Sequence, residues 1–361
     1  MTKAMGRESA LIAMSGGVDS SVAAMLSLND GIDCEGAMMR LYSGKNDPAG
    51  FSDSENDARN TAERLGIRFH IFDLRECFAE EVIDRFVKAY FEGTTPNPCI
   101  ECNKRLKFGR FLEKALELSK SFIVTGHYAR VERGSDDRYL LKKGIDTSKD
   151  QSYALYTLKQ NQLARSRFPL GELTKTKVRE LALQAGLQHT IKKESQDICF
   201  VPDNDYAGVI VKYSGVQPRK GRFIDPEGRV LGENKGIIHY TIGQRRGLGL
   251  AMPYPAYVLE IRAEDDSVVI GRNEQLYSKT LMARDINFIP FEKLGASIRA
   301  SAKIRYNQRE QPAWIHQTAE DTICVEFDEP QRAITKGQAV VIYDGDIVVG
   351  GGTIYDVGEN I

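Results

Sequence analysis

The order of apolar and amphipathic stretches predicts an α/β protein, with a parallel sheet carrying helices on both faces up to about Val201 and β-rich parts beyond it. Three observations carry this. Short apolar runs alternate with helix-length amphipathic stretches in the first part, that alternation stops after Val201, and the tail contains only short β-like runs. Leu11–Met14, Cys34–Met39, Ile67–Phe72 and Phe122–His127 read as short buried strands. Val18–Leu28, Glu55–Leu65 and Glu76–Phe91 carry helical periodicity between them. In such a sheet, ligands bind at the carboxyl ends of the strands.

After Val201 the texture changes. Between Lys212 and Arg246 eight Lys or Arg face three Asp or Glu, a local basic excess, with turn signals at Gln217-Pro218, Asp225-Pro226-Glu227-Gly228 and Gly243. From about Leu276 the runs are short, as in Cys324–Phe327 and Ala339–Tyr343, and Asp344-Gly345 marks a hairpin between two of them. The expected division is 1–205, an α/β catalytic domain, 206–275, a small β-rich domain, and 276–361, an all-β barrel-like domain. A chain of 361 residues accommodates this at ~150 residues per domain.

Composition excludes several classes. Forty-nine basic against fifty acidic side chains do not make a globally basic nucleic-acid coat, although a local basic face is compatible with them. No apolar run approaches the ~20 residues of a membrane span. Ala10–Met14 is too short for a signal-peptide core, so the expected location is cytoplasmic. Six cysteines, Cys34, Cys77, Cys99, Cys102, Cys199 and Cys324, are too sparse for a disulfide scaffold in a chain of this length.

Ser15-Gly16-Gly17-Val18-Asp19-Ser20-Ser21 stands at the junction of the first strand and first helix. Two glycines permit a tight turn and close backbone approach. The helix N-terminus brings its positive dipole end, and the hydroxyls of Ser15, Ser20 and Ser21 add donors. A plain turn capped by Asp19 or Ser20 is the simpler alternative. Walker A would need Lys after its second Gly, and a dinucleotide loop would need G-x-G-x-x-G, which Gly247-Leu-Gly249 does not complete. SGGVDSS instead resembles the pyrophosphate loop of the ATP pyrophosphatases, which cleave ATP to AMP and pyrophosphate and so activate an oxygen that leaves poorly.

Cys99 and Cys102 lie in Thr95–Gly109, after two prolines and before Lys104, Arg105 and Lys107. Cations and a helix start stabilise a thiolate, so lowered thiol pKa values are expected here. A structural zinc site would need four ligands and only one close pair exists. Apolar context assigns Cys34, Cys77 and Cys324 to inert packing. The polar flanks of Cys102 and Cys199 favour reactive sulfur chemistry, and Cys99 stays open between these readings.

Seven segments together resemble the bacterial tRNA-specific 2-thiouridylases, the MnmA family of the PP-loop superfamily. They are SGGVDSS, Thr95–Gly109, Thr125–Arg130 (TGHYAR), Lys149–Tyr156 (KDQSYALY), Ser195–Phe200 (SQDICF), His239–Gly249 (HYTIGQRRGLG) and Gly350–Ile354 (GGGTI). The resemblance spans almost the whole chain. It implies an adenine-nucleotide α-hydrolase-like N-terminal sheet, a small central domain contacting tRNA and a C-terminal β-barrel. It places Ala13, Met14, Ser15, Gly16, Gly17, Val18, Asp19 and Ser20 at the ATP phosphates, with Met39 and Gly126 at the adenosine. It places Asn97, Pro98 and Cys99 at the target base, and His127, Lys149, Asp150, Gln151, Arg305, Tyr306 and Gln338 at other parts of the tRNA.

The implied reaction replaces the C2 oxygen of the wobble uridine by sulfur. ATP, with magnesium neutralising its triphosphate, adenylates that oxygen and releases pyrophosphate. Cys199 carries a persulfide received from a cysteine desulfurase or sulfur-relay protein. Cys102 acts as nucleophile, either freeing the sulfur by forming a disulfide with Cys199 or assisting its attack, and AMP leaves. Many members of the family have Asp where this chain has Cys99. Three cysteines hold a 4Fe-4S cluster with one open iron in related tRNA-thiolating enzymes, and Cys99, Cys102 and Cys199 offer the same ligand types.

Rival readings are another PP-loop enzyme, either a 4-thiouridine synthetase or an amidating ligase, and a nucleotide-gated RNA-binding module. Ligases of that kind have no use for Cys102 with Cys199, and AMP release distinguishes an enzyme from a gated binder. A monomer bound to tRNA is expected. Arg245 and Arg246, beside Gly243 and Gly247, are the basic pair best placed to meet phosphates. Replacing both by Glu is expected to weaken tRNA binding strongly and flatten its salt dependence in filter binding; an unchanged salt slope removes them from the interface.

Overall fold

The computed structural model describes residues 8–42, 53–187 and 198–358, which form two compact units. The first contains the N-terminal stretch to Glu81, Cys99 onward through the first α/β part, and Asp346–Val348. The second contains Val82–Pro98 and the remainder.

In the first unit, β1 (Ser9–Ala13), α1 (Val18–Asn29), β2 (Asp33–Arg40), α2 (Asp53–Arg64) and β3 (Phe69–Asp73) follow the expected alternation. A helical stretch then runs through α3 (Arg75–Phe78), a π-helical turn at Ala79–Ile83 and α4 (Asp84–Phe91), which from Val82 onward belongs to the second unit, so the single helix expected over Glu76–Phe91 is widened in its middle. Next come α5 (Pro98–Glu101), a nine-residue π-helix over Cys102–Arg110, α6 (Phe111–Glu117) and β4 (Phe122–Val124). After the hairpin of β5 (Ala129–Arg133) and β6 (Tyr139–Lys143) lie α7 (Gln160–Ala164), β7 (Ser166–Arg167) and α8 (Lys175–Gln184).

The sheet order is β3-β2-β1-β4-β7, and each pairing is parallel. Strand order reverses between β1 and β4, so their carboxyl ends open the crevice where such sheets bind ligands. Leu11, Ile12, Ile123 and Val124 are fully buried, as continuous apolar strands in a sheet covered on both faces must be. Each such side chain contributes roughly 1.5–3 kcal/mol by leaving water. Ala10, Ile12, Val22, Ala23, Ala58, Ala62, Val124 and Val178 share one core. Alanines on α1 and α2 allow those helices to lie close to the sheet.

The second unit holds α9 (Tyr206–Ser214) and two all-β parts. β8 (Gly221–Ile224), β9 (Val230–Asn234), β10 (Tyr257–Arg262) and β11 (Ser267–Gly271) make a sheet of order β10-β11-β8-β9. The turn between β8 and β9 is the expected Asp225–Gly228, with Asp225 Oδ1 accepting from Arg229 N at 2.8 Å and Gly228 at φ +86°. The last strands are β12 (Tyr277–Phe288), β13 (Ile298–Lys303), β14 (Gln311–Ala319), β15 (Thr322–Arg332), β16 (Ala339–Asp344) and β17 (Ile347–Val357). They run β12-β15-β14-β13-β16-β17 and close through β12–β17 pairing into a six-stranded barrel, which leaves no open edge among these strands. Its interior is Leu281, Ile315, Val325, Phe327, Val340 and Ile342. Gly345, at φ +58°, makes the expected hairpin turn. No described helix is long and apolar enough to cross a membrane.

Candidate active site

The loop after β1 is tightly constrained backbone. Gly16 has φ +76°, and a Cβ there would come within 2.2 Å of Ser54 O. Gly126, just past β4, approaches α1 so closely that a Cβ would lie 2.9 Å from both Asp19 C and Ser20 N. Both glycines are therefore required by geometry, which brings backbone into close contact around the first turn of α1. Gly17 is the N-cap and no side chain caps the helix, so the simpler alternative of a turn capped by Asp19 or Ser20 is not what the structure has. Helix-start N–H groups left without a side-chain cap are the usual anion donors.

Two of the three serine hydroxyls expected as phosphate donors bond to the loop backbone. Ser20 Oγ donates to Gly17 O at 3.0 Å and accepts from Ser15 N at 3.1 Å, while Ser21 Oγ donates to Gly17 O at 3.0 Å. Ala13 is half-buried, and Met14 and Val18 are buried, so these positions offer backbone rather than side chain. Met39 is half-buried at the end of β2, beside the crevice rim.

Asp19 is held by groups distant in sequence. Lys175 Nζ donates to Asp19 Oδ1 at 2.7 Å and Oδ2 at 2.8 Å, and Tyr128 Oη donates to Oδ1 at 2.7 Å. Lys175 is buried; its backbone N donates to Asp146 Oδ2 at 2.9 Å, and this bond leads the interactions that hold the Asp146 carboxyl below its ordinary range. Sequence reasoning missed Lys175 and Tyr128. Tyr128 lies inside TGHYAR, a motif whose histidine drew the attention, and Lys175 looks like any helix-start lysine.

Cys102 opens the Cys102–Arg110 π-helix, a conformation rare enough to mark functional segments. The expectation of a lowered thiol pKa is corrected here. Cys102 is only 8% exposed, and burial raises its pKa above the ordinary 9.0, outweighing the opposing pull of Lys107. Cys99 is exposed, yet the surrounding protein still desolvates it enough to raise its pKa against the same lysine. Arg105 is spent on Glu101, 2.6 Å away, which leaves Lys107 as the named cation acting on both thiols. The polar flanks of Cys102 therefore do not make it wet: Asn103 beside it is buried too, donating to Ala154 O at 3.0 Å. In the second unit, Cys199 is exposed, close enough to Tyr213 to raise the phenol pKa alongside burial. Ser195, Gln196 and Asp197 of the same motif lie outside the described residues. Cys34 is buried as expected, with burial pushing its thiol up to about 11, whereas Cys77 and Cys324 are half-buried; Cys324 alternates with the buried Ile323 and Val325 and so faces away from the barrel interior.

The residues expected to touch tRNA divide in two. His127 is packed inside, between Phe108 at 5.6 Å and Phe168 at 5.9 Å, with Nδ1 hydrogen-bonded to Thr125 Oγ1 at 2.7 Å. Burial, helped by Lys107, holds its pKa well below 6.5, so the ring is neutral and is a wall rather than a phosphate contact. Asp150 accepts from Gly144 N, Ser152 N and Ser152 Oγ, which shapes its own loop. Gln151 pairs reciprocally with Tyr128: Tyr128 N donates to Gln151 Oε1 at 3.0 Å and Gln151 N to Tyr128 O at 2.9 Å. Lys149 is half-buried beside them.

In the second unit, Arg305 Nη2 donates to Ala333 O at 2.5 Å and Thr335 Oγ1 at 3.1 Å. Tyr306 is exposed, with Lys303 above its ring, and so are Arg245 and Arg246. Gln338 Nε2 donates to Thr95 O at 2.7 Å, and Thr95 N donates to Lys336 O at 3.0 Å. Gly337, at φ +90°, completes this loop, where a Cβ would stand 3.0 Å from Thr95 N. A barrel loop thus holds the segment that leads to Asn97, which is half-buried, and Pro98, which is buried. Among the described residues no three His, Cys, Asp or Glu side chains gather as a metal-holding group.

Residues 8–203 match the tRNA methyl transferase HUP domain family, 209–272 the tRNA methyl transferase PRC-barrel domain family and 278–354 the aminomethyltransferase β-barrel domain family. The chain is 48% identical over 351 residues to the tRNA-specific 2-thiouridylase MnmA of Clostridioides difficile, covering 95% of this chain and 97% of that protein. It is 48% identical over 358 residues to the tRNA-specific 2-thiouridylase MnmA of Carboxydothermus hydrogenoformans, covering 97% and 98%. Among solved structures, a 4-thiouridine synthetase in complex with RNA and bound ATP aligns at TM-score 0.38 and 20% identity, over 54% of this chain and 45% of that one.

The exposure of the thiols generates a chemical prediction. At pH 7.5 iodoacetamide is expected to label Cys199 at least about tenfold faster than Cys102, whose labelling rises only as pH climbs past its ordinary thiol range. Peptide mass spectrometry on timed samples checks this; equal rates at neutral pH would contradict the buried, neutral thiol.

Proposed function

The chain belongs to the tRNA-specific 2-thiouridylase family, and from that membership we propose how its own residues carry out the reaction. It is a tRNA sulfurtransferase that replaces the C2 oxygen of uridine by sulfur. The observation that supports the ATP half is the first turn of α1, which no side chain caps, with Gly16 and Gly126 both pressed to where no Cβ fits. The triphosphate lies along Ala13–Ser20, held by backbone N–H groups and the helix dipole. Met39 and Gly126 flank the adenosine. Magnesium accompanies the triphosphate; the described residues gather no ligand group for it, and no step is assigned to it.

The uridine C2 oxygen attacks the α-phosphorus, pyrophosphate leaves, and the oxygen becomes part of an adenylate. A cysteine desulfurase or sulfur-relay protein has by then placed a sulfane sulfur on Cys199, whose exposure supports its meeting a macromolecular donor. The terminal sulfur of that persulfide attacks C2 and AMP departs with the former C2 oxygen. Cys102 then attacks the Cys199 sulfur, the sulfur–sulfur bond to the substrate breaks, and a Cys102–Cys199 disulfide remains for a thiol reductant to open. This order gives Cys102 its nucleophile's task only late in the cycle, in keeping with a thiol that burial keeps protonated at rest.

Asn97, Pro98 and Cys99 meet the flipped base, carried on the segment that Lys336 and Gln338 hold at Thr95. Lys149, Asp150 and Gln151, and Arg305, Tyr306 and Gln338, line the path of the tRNA. His127 supports that surface from behind. The wobble position as the target, the working monomer, the division at 205 and 275 and the cytoplasmic location belong to the same proposal. The family matches over 8–203, 209–272 and 278–354 support the division. A 4Fe-4S cluster on Cys99, Cys102 and Cys199 is the alternative device for the sulfur step, and no step is routed through it here.

Nucleoside mass spectrometry on bulk tRNA from a deletion strain tests the reading. Derivatives of 2-thiouridine are expected to vanish on deletion, return with the wild-type chain and stay absent with Cys199→Ser. Unchanged 2-thiouridine in the deletion strain would refute the substrate.

A further inference from the structure

The sulfur half of the reaction leaves one thiol without a covalent task. Cys99 precedes Cys102 by three residues, the C-x-x-C spacing of a dithiol redox pair. Both belong to the first unit, Cys99 in α5 and Cys102 at the start of the π-helix. The backbone between them is ordinary helix, with Glu101 at φ −63° and ψ −42°. Residues three apart on a helix share one face, and their Cα atoms lie about 5 Å apart. A disulfide spans that separation, since its usual Cα range is about 4.4–6.8 Å. The two thiols also interact, ionisation of Cys99 opposing ionisation of Cys102. Their surroundings differ. Cys99 is exposed, whereas Cys102 is buried along with Asn103 and Leu106 beside it. A soluble reductant therefore reaches one member of the pair and not the other.

We propose that Cys99 is the resolving thiol of the cycle, which takes over the disulfide left on buried Cys102 and presents it to solvent for reduction. The inference deepens the sulfur-transfer reading and rests on it. The Cys99 thiolate attacks Cys102 Sγ in the Cys102–Cys199 disulfide. The bond to Cys199 breaks, Cys199 leaves as a thiolate and takes up the proton that Cys99 gave away, and a Cys99–Cys102 disulfide forms. One disulfide is exchanged for another, so this step needs no oxidant or reductant. An external dithiol then attacks the exposed Cys99 sulfur, is itself oxidised to a disulfide, and returns both cysteines to thiols. Cys199 is thereby released for a fresh persulfide before the reductant has acted.

Disulfide mapping after one turnover tests this. The full chain is persulfidated by a cysteine desulfurase with cysteine, freed of small thiols, and given tRNA and ATP without reductant. It is then quenched with N-ethylmaleimide in denaturant, and its non-reduced peptides are read by mass spectrometry. Cys99 and Cys102 fall in one tryptic peptide, Ala89–Lys104, so their bridge reads as that peptide carrying no alkyl group. The wild type is expected to yield this bridge together with alkylated Cys199, in step with the 2-thiouridine formed. Cys99→Ser is expected to retain the Cys102–Cys199 bridge instead. Cys199→Ser treated with oxidised glutathione is expected to close Cys99 onto Cys102 without turnover, which keeps the test usable should Cys99→Ser not fold. A Cys102–Cys199 bridge that persists in the wild type, or a Cys199→Ser chain that oxidised glutathione does not bridge, would overturn the proposal. Formation of 2-thiouridine with no disulfide at Cys102 of either kind would instead overturn the sulfur-transfer reading itself.

Discussion

Everything in the first unit is arranged around how closely backbone can approach the start of one helix. Gly16 lies against Ser54 and Gly126 against Asp19 and Ser20, in each case nearer than any Cβ permits. These contacts fix where β1, β4, α1 and the beginning of α2 stand relative to one another. The burial of Leu11, Ile12, Ile123 and Val124 secures that arrangement, because strands in a doubly covered sheet cannot slip without moving apolar side chains. The result is a shelf of N–H donors at the point where strand order reverses. Ser20 and Ser21 brace it from within, their hydroxyls bonding to Gly17 and Ser15.

The sulfur chemistry obeys a different constraint, the cost of ionising a thiol away from water. Cys102 is dry and begins a π-helix; Cys199 is exposed. In the proposed cycle this asymmetry assigns the roles. The wet thiol accepts sulfur from a protein donor, and the dry one stays protonated until the persulfide has reacted. Lys107 pulls on Cys99 and Cys102 alike, but a single partly exposed cation does not offset burial.

The alternation of strands and helices, the phosphate loop and the closing hairpin at Asp344-Gly345 were legible in the sequence, because each depends on local patterns: short apolar runs, a glycine pair, a turn dipeptide. What was hidden depends on distance along the chain or on solvation. Lys175 reaches Asp19 from far downstream, and no spacing rule links them. The thiol pKa values at Cys99 and Cys102 were expected low because neighbouring lysines are visible in sequence, whereas the packing that desolvates the thiols is not. The family resemblance placed His127 at the RNA, whereas the rings of Phe108 and Phe168 that enclose it come from distant segments. The widening into π-helix at Cys102–Arg110 left no periodic trace, since nine residues cover barely two turns.

The central claim is that the loop after β1 serves to turn the uridine C2 oxygen into part of a leaving adenylate. The most direct measurement uses tRNA whose target uridine carries heavy oxygen at C2, incubated with ATP, a sulfur donor and the enzyme, followed by mass spectrometry of the AMP released. The account predicts one heavy oxygen in the AMP for each 2-thiouridine formed. Thiolated tRNA accompanied by unlabelled AMP would show that ATP is cleaved without activating that oxygen, and the account would fail.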